Sequence, residues 1–129
     1  MKLLYFTLFM LLSLASDATD PIDKVAELIG KGNVHELSKL FAPTVEFTLM
    51  DNVNTYSKAQ AEIILDKFFI HNKPVSSKML HKVGADATYH YGVVIINTTT
   101  GPYRAAFTLK NIDGNMQLIE LRLGIEKVK

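Results

Sequence analysis

The chain contains no cysteine and no tryptophan, and its charges nearly cancel without a long run of either sign. Without cysteine it has no thiol nucleophile, thiolate zinc site, iron–sulfur cluster or disulfide framework. With 14 Lys and Arg against 13 Asp and Glu, there is no electrostatic footprint for nucleic acid. The four histidines, His35, His71, His81 and His90, form no pair at metal-ligand spacing, so neither a metal nor a cofactor is expected. Gly-rich phosphate loops, GxSxG elbows, HExxH and Walker motifs are all missing. What is present is an apolar fraction of 48% over 129 residues, which describes one globular domain with its own core.

Residues 1–18, MKLLYFTLFMLLSLASDA, carry one cation at Lys2, an apolar stretch from Leu3 to Leu12, and small residues suited to a cut after Ala15 or Ala18. This pattern predicts an export signal over 1–18 and a mature, periplasmic or secreted domain over 19–129. The apolar stretch falls short of the roughly 20 residues that span a bilayer, so no membrane association is expected after cleavage.

Asp20-Pro21-Ile22-Asp23 combines an N-cap, a proline at the first helical position and an acid in the first turn, and Ile22, Val25, Ala26 and Ile29 follow at helical spacing up to Gly30 and Gly32. Asn33 with Glu36 caps a second, shorter helix bearing Val34, Leu37, Leu40 and Phe41, closed by Pro43. Thr44 to Met50 alternates as a strand, and Asp51 to Asn54 reads as a turn. Ser57 and Gln60 form a capping box ahead of a third helix with Ala61, Ile64, Leu65, Phe68 and Phe69, stopped before Pro74. Four strands follow, Val75 to Val83, Thr88 to Thr98, Tyr103 to Ile112 and Met116 to Glu126, separated by turns at Gly84-Ala85-Asp86, Thr100-Gly101-Pro102 and Asp113-Gly114. Helices segregated from strands predict an α+β layer arrangement, and short connections predict an antiparallel meander.

The segment Tyr56-Ser57-Lys58-Ala59-Gln60-Ala61-Glu62, with Phe68-Phe69 and the long meander, resembles a nuclear transport factor 2-like domain of the cystatin-like type. Asp20-Pro21-Ile22, Ile29-Gly30-Lys31-Gly32-Asn33, Leu80-His81-Lys82 and Tyr103-Arg104 resemble a group of small exported domains of unknown function from Bacteroidetes-type bacteria. The resemblance implies a cone, in which three N-terminal helices pack on a strongly curved antiparallel sheet with a pocket between them. Relatives such as ketosteroid isomerases use that pocket for proton transfer by a carboxylate.

Odd-numbered strand positions, from Val45 and Phe47 through His81, Tyr89, Tyr91, Val93 and Ile95 to Leu121 and Leu123, read as the inward face, and none is Asp or Glu. Asp66 is the best remaining carboxylate and reads as surface. A non-catalytic domain is therefore expected, holding a small apolar ligand or peptide among Phe47, Phe68, Met79, His81, Tyr89, Tyr91, Tyr103 and Phe107. The alternative is an isomerase or dehydratase with His81 as base and Tyr89 or Tyr91 as oxyanion donor. The opposite positions carry Glu46, Lys78, Lys82, Arg104, Lys110, Glu120, Arg122 and Glu126 as an outer face, and Leu80, Val94, Ile96, Ala106 and Leu118 interrupt its charges, predicting a homodimer through it, as in relatives of the resembled fold.

Overall fold

The computed structural model describes residues 20–84 and 88–127; the export signal read over 1–18 and Ala85-Asp86 of one predicted turn lie outside them. Helix α1, Pro21–Lys31, starts where Asp20 accepts a hydrogen bond from the Ile22 N–H at 2.9 Å, and ends at Gly32, whose φ of 66° suits a residue without a Cβ. Its Ile22, Val25, Leu28 and Ile29 are buried. Helix α2, Val34–Ser38, is capped by Asn33. Helix α3, Lys58–His71, opens on the Ser57–Gln60 capping box read from the sequence.

Two predicted boundaries shift. Strand β1 runs Phe41–Leu49, so Phe41 leaves the second helix and Pro43 sits inside a strand. The ladder to its neighbour is irregular between Phe41 and Glu46, which spares Pro43 the N–H bond it cannot make. The predicted turn over 51–54 is shorter, because Met50 (φ 57°) and Asp51 already reverse the chain and Asn52–Ser57 forms strand β2 against β1. Its mostly polar, exposed residues give no period-two signal.

Strands β3 Pro74–Val83, β4 Tyr89–Thr98, β5 Gly101–Ile112 and β6 Asn115–Ile125 form the expected antiparallel meander. Asp113 and Gly114, both at positive φ, make its tight β5–β6 turn. The sheet order is β2-β1-β6-β5-β4-β3, and β1 joins β6 in parallel, which corrects the expectation of a wholly antiparallel sheet. A parallel pair needs a long connection, and α3 with four intervening strands supplies it.

One inner face packs on the helices. The row Phe47–Leu121–Phe107–Gly92–Lys82 crosses five strands, each residue opposite the next. On β4 the inner positions are therefore Gly92, Val94 and Ile96, while Tyr89, Tyr91, Val93 and Ile95 take the other face. That reverses the predicted parity, because the strand pairs one residue out of step from the sequence reading. A bulge at Ile119, between Leu118 opposite Leu109 and Glu120 opposite Thr108, turns Leu118 into the core. A second bulge between Met79 and His81 sends His81 to the open face and Lys82 inward.

Gly92 lets α1 and the sheet meet closely. A Cβ there would collide with the Phe107 ring and lie 2.9 Å from Ile22, both fully buried. Gly92→Ala is expected to cost about 1–3 kcal/mol by overpacking, read as a lower midpoint in urea unfolding; an unchanged midpoint would show a looser row than described.

Lys82 clasps the start of α1, its ammonium 2.8 Å from both Asp20 and Asp23. The Lys82 hydrogen bond, helped by the Ile22 N–H, holds the Asp20 carboxyl below its ordinary 3.8. Asp20 first, then Asp23, holds the ammonium above its ordinary 10.5. The carboxyl contributes stability above 3.8 that is lost as pH falls through its lowered value, and the ammonium contributes below 10.5 until pH rises through its raised value. Lys82→Met should therefore melt below the parent at neutral pH, with the gap closing at both extremes and shrinking in high salt. A gap independent of pH would assign the loss to packing of the stem.

Candidate functional site

The eight residues expected to line one pocket separate onto two faces. Phe47 and Phe107, at 1% and 0% exposure, are core residues packed into the central row. Phe68 and Tyr103 meet edge to face with centroids 5.1 Å apart, and the Tyr103 hydroxyl donates to Asn72 Oδ1 at 3.2 Å. Met79 is half-buried at the edge of the core. His81, Tyr89 and Tyr91 instead stand exposed on the open face, with the Lys110 ammonium 5.6 Å from the centre of the Tyr89 ring. The inward placement of those three is corrected by the β3 bulge and the β4 parity. His81 is therefore not the base of an inner pocket, since it lies across the sheet from one.

Close packing has filled most of the cone. A cavity of about 170 Å³ persists beside the start of α1, lined by Pro21, Lys24, Val25, Leu40, Leu109 and Met116. It is smaller than the roughly 300–1,000 Å³ of ordinary small-molecule sites.

Serine, histidine and glutamate do meet on α2 and α3. His35 Nδ1 lies 3.3 Å from Glu62 Oε2, and the buried Ser38 hydroxyl donates to the His35 carbonyl at 2.7 Å. The Ser38 hydroxyl, and then the His35 ring, hold the Glu62 carboxyl below its ordinary range. A nucleophilic triad needs the imidazole between serine and acid, ready to take the serine proton. Here the carboxylate stands between the hydroxyl and the ring, so no imidazole nitrogen is placed to take the serine proton, and the group pins α2 to α3. Nothing in the sequence joins residues 35 and 62, which are 27 positions apart. Among the described residues, no three His, Asp or Glu side chains converge as metal ligands.

The open face carries a larger feature, a groove of about 320 Å³ lined by Thr48, Met50, Tyr91, Arg104, Ala106, Arg122, Leu123, Gly124 and Ile125. Its floor follows from register: Thr48 lies opposite Arg122, Arg122 opposite Ala106, and Ala106 opposite Val93. Val93 is only 2% exposed although it belongs to this face. Arg104 lies opposite Gly124, diagonal to Arg122, and Glu126 approaches it at 3.7 Å. The sequence reading places Arg104 and Arg122 on this side of the sheet; it misses Tyr91, whose parity it reverses.

A family model described as "Domain of unknown function (DUF4783)" matches residues 22–124. The chain belongs to this family. Two solved DUF4783 structures are similar in fold. The one from Bacteroides uniformis has a TM-score of 0.79 at 19% identity, covering 84% of this chain and 100% of that one. The one from Bacteroides ovatus has a TM-score of 0.78 at 19% identity, covering 88% and 100%. A Nostoc punctiforme domain of unknown function with a cystatin-like fold has a TM-score of 0.63 at 9% identity, covering 81% and 72%, and a chain named for NTF2 reaches 0.61 at 13%, covering 80% and 92%. At these identities the likeness is one of fold: the chain has an NTF2-like, cystatin-like α+β fold, as the sequence resemblance implies. No curated protein matches the chain.

If Ser38 is structural in this DUF4783 domain, a fluorophosphonate serine probe should leave it unlabelled at every pH where the fold is intact. Covalent labelling at Ser38, located by peptide mass mapping, would restore a nucleophilic role.

Proposed function

We propose that the mature domain is an exported, non-catalytic binding module whose working surface is the open face of the sheet rather than the interior of the cone. The observation that carries this reading is the contrast between the two faces. On the inner face Phe47, Phe107, Leu65 and Leu121 are at most 1% exposed, so the centre of the cone is filled and the spaces on the helix side, about 170 Å³ beside the start of α1 and about 370 Å³ beside Gly32, Phe69 and Pro74, lie at its edge. On the open face an apolar strip, Tyr91, Val93, Ile95 and Ala106, lies beside two arginines and a groove of about 320 Å³, in the range of small ligands. Self-association through this face, and uptake of a small ligand or peptide on it, use the same strip. Export is supported by the cation, apolar stretch and small residues over 1–18.

Native mass spectrometry of the mature domain, purified from an exported fraction, reads cleavage site, dimer and retained adducts together. The expected result is a mass lacking the first 15 or 18 residues, with a dimer or adduct that Ala106→Trp abolishes and Met116→Trp leaves intact. Loss in Met116→Trp alone would move binding to the inner cavity. A bare monomer in every preparation would overturn the reading.

A further inference from the structure

We propose that the open-face groove is a site for a small amphipathic carboxylate, an aryl or alkyl acid whose charged end lies between Arg104 and Arg122 and whose apolar body covers Ala106 toward Tyr91. This rests on the reading of the open face as the working surface and adds the chemistry of its ligand.

Charge placement carries the argument. Arg104 and Arg122 occupy diagonal positions on adjacent antiparallel strands, so both guanidinium groups rise from one face within reach of a single anion. Arg122 has no ion pair among the described residues, and the Thr48 position opposite it brings a hydroxyl to the same end. Arg104 faces Glu126 at 3.7 Å, longer than the roughly 2.7–2.9 Å of a charge-assisted hydrogen bond, so a ligand carboxylate would compete with Glu126 for this guanidinium and take its firmer hold from Arg122. Guanidinium groups match a carboxylate through paired N–H donors.

The rest of the groove selects the body of the ligand. Ala106 and Gly124 give a low floor between the arginines, and Tyr91 supplies an aromatic wall 38% exposed. Glu46 and Glu120 face each other one row away, beside Thr108 and Tyr91, and repel an anion from that side. They orient the ligand with its charge toward Arg104 and its neutral body toward Tyr91. A volume of about 320 Å³ holds a molecule of this kind and not an extended peptide.

The test is an NMR titration of the 15N-labelled mature domain with 4-phenylbutyrate, and in parallel with its neutral amide. Expected are shifts at Thr48, Tyr91, Ala106 and Gly124 with the acid, little or no shift with the amide, and affinity about tenfold weaker in Arg122→Gln, the size of one lost charge-assisted hydrogen bond. Arg122 is exposed, so the variant should fold, and its unperturbed inner-face resonances check this. Equal binding of acid and amide, or full affinity in Arg122→Gln, would overturn the carboxylate assignment while leaving the open face as the binding surface. Shifts confined to Val25, Leu109 and Met116 would overturn both. Absence of any shift up to the solubility limit would overturn the carboxylate assignment, and the mass-spectrometric dimer would then decide the open face on its own.

Discussion

The row Phe47–Leu121–Phe107–Gly92–Lys82 is the constraint on which the rest of this structure depends. Three large apolar side chains from β1, β6 and β5 fill the centre of the inner face. The missing side chain at Gly92 then leaves room for Ile22, which seats α1 across β3 and β4. The row ends at Lys82, whose reach to Asp20 and Asp23 fixes the first turn of that helix. Displacing any member by one residue would exchange inner and outer faces along its strand.

The same row decides where chemistry can occur. An NTF2-like cone offers an enclosed pocket only if the inner side chains leave one, and here Phe47 and Phe107 occupy its centre. The space that persists sits at the periphery, in a small apolar cavity against the start of α1 and in a wider one with a charged rim beside Gly32, Phe69 and Pro74. The opposite face inherits everything the core rejects: arginines, tyrosines, His81 and the short residues between them. The binding role proposed for that face follows from a filled centre, because the two arginines and Tyr91 that could orient a ligand stand outside it.

Local structure was largely legible in the amino-acid sequence, and each success has a short-range cause. Asp20-Pro21, Asn33 and Ser57 with Gln60 satisfy orphan N–H groups within a few residues of themselves, so three helix starts could be placed by inspection. Asp113-Gly114 supplies positive φ at both turn positions, so the last hairpin was equally clear. Boundaries failed where a neighbouring strand decides. Phe41 and Pro43 joined β1 because β6 offered a partner, and the polar Asn52–Ser57 became a strand because β1 needed an edge.

Composition, the α+β class, the NTF2-like resemblance, the helix starts and the scarcity of interior acids all came from sequence, since each depends on residue type or on contacts a few positions apart. Tertiary structure alone decided which face each strand shows. Val93 to Ile96 is apolar at every position, so alternation carries no information there, and the bulges near Leu80 and at Ile119 insert one residue with no marker in the chain. Pairing across strands settles the register, and with it Tyr91 and His81 move outward while Leu118 and Val94 move in. The candidate site rests on that long-range choice, which is why its arginines were visible in the sequence and its aromatic wall was not.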